Sequence, residues 1–385
     1  MRHRQILIRL SEEEKTILDR TAEAQGLATS SWARLQLLRA SREYRNPRRM
    51  RVRERPNEST LLSLFCGPGG LDEGFRKAGF VTKIATDIDK DCVETFALNH
   101  PQTLVRPFDI RYLELSDLDK LVGERFCPVG VIGGPPCQSF SVSNVHQKDD
   151  DPRHELPECY AGLLSKLNSR HPISFFVFEN VPGLLGTKHR HRYNKFKQLF
   201  VDAGFVIYET LLNARNYGVP QDRERVIIVG VNQKLHPDKL WNAPEPEKRQ
   251  ATVRDCIHGL PEPVYNSPGL DPRSFPVHPN HWCLVPRSSK FADAKLEEGQ
   301  MYGRSFRTLC WDKPSWAVAY GHREVHVHPN GHRRLSIYEA MLLQTFPKTY
   351  QLTGNMSAQI RLVSEAVPVR LAWHIAKSVR ESLDI

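Results

Sequence analysis

Several features of membrane, secreted and zinc-binding proteins are missing from this sequence. No apolar run approaches the roughly 20 residues that a membrane-spanning helix needs, so no membrane partner is expected. The basic N-terminus has neither a long apolar stretch nor a small-residue cleavage site, which argues against a signal peptide. The 8 cysteines include no Cys-x-x-Cys pair and no Cys/His array at zinc-finger spacing. We therefore expect a cytoplasmic protein with reduced thiols and no bound metal.

Positive charge exceeds negative charge, with 54 Lys and Arg against 44 Asp and Glu and a net charge of +10. Arginines crowd one short stretch: Arg42, Arg45, Arg48, Arg49, Arg51, Arg53 and Arg55. Such a block is typical of a solvated arm that lies along nucleic-acid phosphates. A linker that is merely soluble has the same composition, so that alternative stays open.

The first 42 residues predict a small strand-helix-helix unit. Apolar side chains recur at every second position over residues 6–10, the period of a half-buried strand. Ser11 and Glu14 form a capping-box pattern at the start of a first helix that should end at Gly26. Thr29 or Ser30 should cap a second helix. A unit this small cannot bury an adequate core by itself, so we expect it to dimerise or to dock.

Residues 4–40 resemble the ribbon-helix-helix family of DNA-binding modules. The resemblance implies a homodimer that places a two-stranded ribbon in the major groove. It also implies that three side chains of the strand face the bases: Gln5, Leu7 and Arg9. A helical hairpin that packs on the rest of the chain is the alternative.

From Ser59 onward, strand and helix patterns alternate in the manner of a doubly wound α/β domain. Residues 61–65 predict a buried strand that runs into a glycine-rich turn, where the backbone can approach a ligand closely. A second predicted strand ends in Asp87, an acid suited to a ribose diol, and a third short segment presents Asp109 to an adenine amino group. Together these features predict a nucleoside-cofactor site. No Gly-x-x-x-x-Gly-Lys-Ser/Thr motif is present, which argues against a nucleoside triphosphate.

Reactive side chains follow the next predicted strands. The apolar residues 129–134 run into Pro135-Pro136-Cys137-Gln138, where two prolines fix the turn and push Cys137 out at the carboxyl end of a strand. Another apolar strand leads into Glu179-Asn180-Val181. A third segment, Gln221-Asp222-Arg223-Glu224-Arg225, precedes the apolar strand at 226–229.

These three segments, in this order and spacing, resemble the cytosine-5 DNA methyltransferase family over roughly residues 59–380. Residues 335–347 look like the family's ninth sequence block, and residues 366–368 look like the tail of its tenth. The resemblance implies a Rossmann-like α/β sheet that binds S-adenosylmethionine, with a small, irregular target-recognition domain. It further implies a bacterial or phage-type enzyme that acts on double-stranded DNA, with a cognate restriction nuclease as a candidate partner.

The residue types suit this chemistry. Cytosine C5 becomes nucleophilic once a thiolate, here that of Cys137, adds to C6. Glu179 would supply a proton at N3, Arg225 would hold the O2 edge, and Arg223 would order the site and nearby phosphates. The cytosine must first leave the base stack, at a cost of a few kcal/mol. Ser139 and Gln221 are expected to contact the DNA.

By the same resemblance, residues of the strand ends and of the tenth block would hold the cofactor: Phe65, Gly67, Gly69, Gly70, Leu71, Asp87, Ile88, Asp109, Ile110, Pro135, Leu156, Glu365 and Val367. Ser364-Glu365 stands where the family usually has Gly-Asn. That exchange puts a carboxylate in place of an amide near the amino-acid end of the cofactor, where it would repel a carboxylate or pair with an ammonium group.

The predicted domains are a ribbon-helix-helix-like unit at 1–42, an Arg-rich linker at 43–57 and a catalytic domain at 58–230. A target-recognition region follows at 231–334, and residues 335–385 should return to the catalytic domain. Two other hypotheses remain: a methyltransferase of this fold that acts on RNA, and a DNA-binding repressor without catalytic activity. The intact Cys137, Glu179 and Arg225 argue against the second of these.

Overall fold

The computed structural model describes residues 11–23, 28–30, 32–33, 59–136, 152–187, 189–292, 295–303, 305–317 and 326–385. The chain divides into two compact units, Met1–Arg55 and Pro56–Ile385. The division falls inside the predicted Arg-rich linker.

In the first unit, helix α1 (Glu12–Glu23) begins with the predicted capping box. The Ser11 N–H donates to the Glu14 carboxylate at 2.8 Å, and the Glu14 N–H donates to the Ser11 hydroxyl at 3.2 Å. Thr29 and Ser30 are both already helical, so the prediction that one of them caps the second helix is wrong. The Thr29 hydroxyl instead donates to the Asp19 carboxylate at 2.6 Å and ties the two helical segments together. Gln5, Leu7 and Arg9 lie outside the described residues.

The second unit is built on a seven-stranded sheet with the order β3-β2-β1-β4-β5-β8-β6. Its strands are β1 (Thr60–Leu64), β2 (Val81–Asp87), β3 (Leu104–Pro107), β4 (Gly130–Gly133), β5 (Phe175–Asn180), β6 (Val206–Asn213) and β8 (Glu224–Val231). Neighbouring strands are parallel except that β8 runs antiparallel to both β5 and β6. The predicted α/β fold is confirmed.

Helices cover both faces of the sheet. They are α2 (Gly70–Lys77), α3 (Lys90–Asn99), α4 (Leu115–Val122), α5 (Leu156–Arg170), α6 (Arg190–Asp202) and, near the C-terminus, α11 (Val369–Leu383). Alternate residues of β5 enter different cores: Phe176 and Phe178 pack with α5 and α6, while Phe175 and Val177 pack with α2 and α11. A strand that is buried on both faces must be apolar throughout, which explains the unbroken apolar runs in the sequence.

The region between the sheet and the C-terminal helices is irregular, as predicted. It contains the short strands β9 (Val264–Tyr265), β10 (Trp282–Cys283), β11 (Met301–Tyr302), β12 (Phe306–Thr308), β13 (Ser315–Trp316) and β14 (His326–Val327). A further short strand, β7 (Gln221–Asp222), precedes β8 in the chain and pairs with β13. The helices of the irregular region are α7 (Val253–Ile257) and α8 (Ser289–Ala292), and the region is followed by α9 (Ile337–Leu343) and α10 (Met356–Glu365). Among the residues described, no helix combines the length and the apolar character needed to cross a membrane.

Candidate active site

A cavity opens at the carboxyl ends of β1, β4 and β5 and contains about 360 Å³ of empty space, part of it open to solvent. Three parts of the chain form its wall: the glycine-rich turn after β1, the end of β4 and β5, and the segment after α10. The lining residues are Ser63, Leu64, Phe65, Cys66, Gly67, Pro68, Gly70, Leu71, Asp72, Gly134, Glu179, Glu365, Ala366 and Val367. The structure therefore brings together the predicted glycine turn, the predicted acid after β5 and the predicted tenth block.

The glycine-rich turn has an unusual backbone. Gly67 and Gly69 adopt positive φ angles of 53° and 93°, and Phe65 adopts 53° although it carries a bulky side chain. Such a conformation costs about 1–3 kcal/mol for a residue other than glycine and is typical of functional sites. A Cβ atom on Gly70 would stand 2.3 Å from the Val367 carbonyl oxygen, so glycine allows the turn to meet the segment after α10.

Asp87, at the end of β2, stabilises this turn through a hydrogen bond from the backbone of the turn. Its carboxylate accepts from the backbone N–H of Gly67 and from that of Asp89, both at 2.9 Å. Burial raises the pKa of Asp87, and the two backbone donors partly offset that increase. The neighbouring Ile88 is largely exposed. Neither side chain lines the cavity, and the predicted contact of both with a cofactor stays a prediction.

Asp109, predicted to meet the adenine, and several other predicted cofactor contacts also lie outside the cavity wall. The Asp109 carboxylate accepts from the Arg111 guanidinium at 3.0 Å and from the Arg111 N–H at 3.0 Å, and the Arg111 side chain lowers the pKa of Asp109. Ile110 and Leu156 are buried in one core cluster. Pro135 is buried as well, and its carbonyl accepts from the Asn180 amide at 3.3 Å. Gly69 belongs to the turn but not to the lining.

Glu179 and Arg225, predicted to act on the same base, form an ion pair. Arg225 Nε lies 2.7 Å from Glu179 Oε1, and both side chains are largely buried. The antiparallel register of β5 and β8 pairs Asn180 with Val226, which brings the two charged residues side by side. A Cβ atom on Gly134 would stand 2.6 Å from Glu179 Oε2, so the glycine at the end of β4 leaves space for this carboxylate.

Two residues near this pair are buried. The predicted role of Arg223 in ordering the site fits its contacts, whereas burial leaves neither Arg223 nor Gln221 a surface for DNA. Arg223 is only 2% exposed, so it has no surface for neighbouring phosphates. Its guanidinium instead donates to the carbonyl oxygens of Ser364 at 2.8 Å and Ala366 at 3.0 Å, and it thereby positions the segment that lines the cavity. Gln221 lies in β7, which pairs with β13, and its side chain is 0% exposed. It therefore has no exposed surface for the predicted contact with DNA.

Glu365 lies in the cavity wall beside a cluster of charges. Arg361, one turn earlier on α10, lies 3.6 Å from the Glu365 carboxylate and 2.7 Å from that of Asp89. Arg361 also lies 3.2 Å from the Asp91 carboxylate. Arg361 therefore links three carboxylates at this end of the cavity.

Asp72 was not predicted from the sequence. This carboxyl group lines the cavity yet is only 1% exposed, and it accepts from the hydroxyls of Ser63 at 2.9 Å and Thr82 at 2.8 Å. Burial raises the pKa of Asp72 to about 7. An acid in the first turn of a helix ordinarily indicates a favourable helix dipole interaction, so the sequence held no signal for a buried site.

Cys137 and Ser139 lie outside the described residues, so their predicted roles stay predictions. In sequence, Cys137 follows Gly134 of the cavity wall by three positions. The cysteines that the structure describes are all free. Within the described ranges, no group of three or more His, Cys, Asp or Glu side chains is arranged to hold a metal ion.

The strand order, the reversed β8 and a cavity at the carboxyl ends of the central strands define an S-adenosylmethionine-dependent methyltransferase. A model of the C-5 cytosine-specific DNA methylase family matches residues 59–381, and the chain belongs to that family. It transfers a methyl group from S-adenosylmethionine to C5 of cytosine in DNA.

Individual relatives agree with the family model. The Type II methyltransferase M.MthTI of Methanothermobacter thermautotrophicus is 33% identical, across 84% of this chain and 98% of the relative. The Type II methyltransferase M.FnuDI of Fusobacterium nucleatum is 32% identical, across 84% of this chain and 94% of the relative. A DNA modification methyltransferase encoded within an Escherichia coli prophage has the same fold, with a TM-score of 0.72 at 24% identity over 85% of this chain and 100% of that one.

Proposed function

We propose that this enzyme methylates a flipped-out cytosine within a specific sequence of duplex DNA, through a covalent bond between Cys137 and C6. The observation that carries the proposal is the Glu179–Arg225 ion pair, 2.7 Å apart at the edge of the cavity. A carboxyl group and a guanidinium side by side match the N3/N4 edge and the O2 atom of one cytosine.

The cavity wall fits S-adenosylmethionine. A Cβ atom on Gly67 would meet no heavy atom within 4 Å, so the turn has open space on the cavity side. The Glu365 carboxylate in the wall suits an ammonium group. Outside the wall, Asp87 and Asp109 carry carboxylates that would accept from hydroxyl and amino groups of the cofactor. Phe65, Leu71 and Val367 supply apolar surface. When bound, the cofactor supplies an electrophilic methyl group on its sulfonium sulfur.

The protein's own groups prepare the cytosine. The Cys137 thiolate forms a bond to C6, and the π electrons of the C5–C6 bond shift toward C5 and N3. The Glu179 carboxyl group gives a proton to N3 and accepts a hydrogen bond from the exocyclic amine. Arg225 donates to O2. Its positive charge also stabilises the carboxylate that Glu179 becomes when it has given up its proton. After C5 is methylated, a base takes the C5 proton, the S–C6 bond breaks to release the thiolate, and N3 returns its proton to Glu179, which restores the aromatic ring and the enzyme.

The relatives bear the name Type II methyltransferase, which supports a place for this enzyme beside a restriction nuclease that cuts the same sequence. The irregular region at 231–334 would read that sequence, because base readout depends on side chains that reach the groove edges. The ribbon-helix-helix-like unit and the arginines at 42–55 would add phosphate contacts and pair two chains.

Transfer of a labelled methyl group tests this proposal. Purified enzyme with labelled S-adenosylmethionine is offered duplex DNA or transfer RNA, and the modified positions in the product are then mapped by sequencing. The expected result is 5-methylcytosine at one short sequence of the duplex. Label in RNA alone, or methylated cytosines without a shared sequence context, would contradict the proposal. The variant Glu179→Gln is expected to lower kcat by about 100-fold or more, since it removes the acid at N3.

A further inference from the structure

We propose that Tyr350, supported by His100, is a positioning residue that fixes the peptide plane between Pro68 and Gly69 in the glycine-rich turn. This inference rests on the proposed cofactor site, because Gly67 and Pro68 line the cavity. Neither the family resemblance nor the sequence pattern indicated it.

Three groups form a continuous chain of hydrogen bonds. The Tyr350 hydroxyl donates to the Pro68 carbonyl oxygen, and His100 Nε2 lies 3.0 Å from the Tyr350 hydroxyl oxygen. A hydroxyl has one proton, so Tyr350 must accept from a protonated Nε2 of His100. Burial lowers the pKa of His100 to about 4, which keeps its ring neutral with a single N–H at neutral pH. Tyr350 is 4% exposed and His100 is 7% exposed, so water does not replace these bonds.

The same peptide plane is held at its other end. The Gly69 N–H donates to the Cys66 carbonyl at 3.0 Å, while Tyr350 holds the Pro68 carbonyl on the opposite side of the peptide bond. Glycine tolerates either orientation of the preceding peptide plane, so this bond needs external support. A Cβ atom on Gly69 would stand 2.5 Å from the Tyr350 hydroxyl and 2.9 Å from His100 Nε2. Glycine thus leaves room for the hydrogen-bonded chain.

The chain directly after Tyr350 is hydrogen-bonded to α3. The Gln351 N–H donates to the Asn99 side chain at 3.0 Å, and the Thr353 N–H donates to the Thr95 hydroxyl at 3.0 Å. The chain then continues into α10, whose last residue is Glu365. One segment of the chain, from Tyr350 to Glu365, therefore contacts the glycine-rich turn and also forms part of the cavity wall. Displacement of Tyr350 would alter both parts of the cavity.

Tyr160 provides a matched control. Its hydroxyl donates to the carbonyl oxygens of Val131 at 3.3 Å and Val177 at 3.1 Å, and the residue is 0% exposed. Replacement by phenylalanine removes a buried tyrosine hydroxyl from a backbone carbonyl in both cases. Only Tyr350 acts on the cavity wall, because Tyr160 belongs to the core on one face of the sheet.

The experiment compares Tyr350→Phe, Tyr160→Phe and wild type by calorimetric titration with S-adenosylhomocysteine, which needs no turnover. A lost buried hydrogen bond weakens binding by about tenfold when the bond supports the site. We expect a dissociation constant about tenfold higher for Tyr350→Phe and within twofold of wild type for Tyr160→Phe, although both variants melt at a lower temperature. The KM for S-adenosylmethionine should rise similarly in Tyr350→Phe, while kcat at saturating cofactor stays within about twofold.

A third variant keeps the test decisive. His100→Phe retains the ring that packs on Phe96 but removes the donor to Tyr350, and it should raise the dissociation constant in the same direction by a smaller factor. Equal affinities for Tyr350→Phe and wild type would overturn the inference, as would an equal loss in Tyr160→Phe. If Tyr350→Phe does not fold, unchanged binding by His100→Phe would overturn it. Wild type that fails to bind S-adenosylhomocysteine would instead contradict the proposed cofactor site.

Discussion

At the scale of single residues, charge determines how the cavity can receive its ligand. Arg361 pairs with the carboxylates of Asp89, Asp91 and Glu365. Glu365 is half-exposed, so solvent screens its field. The Glu365 carboxylate would attract an ammonium group placed near it and would repel a carboxylate.

Replacing Glu365 by asparagine should therefore weaken binding of S-adenosylmethionine. At about 4 Å and an effective dielectric near 20, a unit charge contributes on the order of 4 kcal/mol before screening, so a several-fold rise in the dissociation constant is expected. Glu365→Gln keeps the side-chain length and should recover only part of the loss. Tighter binding by Glu365→Asn would mean that the carboxylate faces a like charge, and unchanged binding would place it away from the ligand.

At the scale of elements, α2 carries a buried acid that links the stability of the fold to pH. Burial raises the pKa of Asp72 from 3.8 to about 7, so the folded protein holds an additional proton between these pH values. The free energy of unfolding therefore decreases, as far as this group is concerned, as pH rises through that window. The hydroxyls of Ser63 and Thr82 limit the cost, because they donate to the charged form.

Asp72→Asn should remove this dependence. Relative to wild type, the variant should gain on the order of 2 kcal/mol in its free energy of unfolding between pH 5 and pH 8, measured by urea denaturation without cofactor. The same change at the exposed Asp238 is the control and should leave the pH curve parallel to that of wild type. Parallel curves for Asp72→Asn and wild type would mean that Asp72 is ionised throughout.

The central strands could be predicted from the sequence because a strand buried on both faces leaves an unbroken apolar run. The edge strand β6 could not, since Val206, Glu209 and Leu211 are all exposed and no alternating pattern results. Its antiparallel neighbour β8 was predicted as a strand, but its direction depends on the connection through β6. Reactive residues at strand ends were predictable because parallel strands place their carboxyl ends at one edge of the sheet.

Contacts between distant parts of the chain left no pattern in the sequence. The Tyr350 hydroxyl and the Pro68 carbonyl are 282 positions apart, and Arg223 reaches Ser364 across 141 positions. By residue type alone, Arg223 and Arg225 look equivalent, and only the family resemblance gave them different roles. In the fold, Arg223 is buried and donates to carbonyls of the C-terminal segment, whereas Arg225 pairs with Glu179.

At the scale of the whole molecule, the sequence holds two kinds of DNA-binding signal. The family model begins at residue 59, so residues 1–42 and the arginines after them lie outside it. Phosphate contacts raise affinity for any sequence and make it depend on salt, whereas contacts to base edges set specificity.

Deletion of residues 1–42 should therefore weaken DNA binding and flatten its dependence on salt without changing the methylated sequence. The measurement is the dissociation constant for one duplex across a range of salt concentrations, with methylation sites mapped for both proteins. A matched variant replaces the arginines at 42–55 by glutamine; it should also weaken binding and flatten the salt dependence, because each lost phosphate contact does both, and it too should leave the methylated sequence unchanged. Methylation of a different sequence by the truncated enzyme would contradict this and show that the N-terminal unit contacts bases that determine the target sequence.

Covalent attack by Cys137 on C6 of a cytosine can be trapped with duplex DNA that contains 5-fluorocytosine at the target. The C5 fluorine cannot leave, so the bond between sulfur and C6 persists after methyl transfer. Wild type with S-adenosylmethionine should give a protein–DNA complex that survives a denaturing gel, with the adduct mapped to Cys137, while Cys137→Ser should bind the duplex and form no such complex. An adduct on another cysteine, or one that persists in Cys137→Ser, would contradict the assignment.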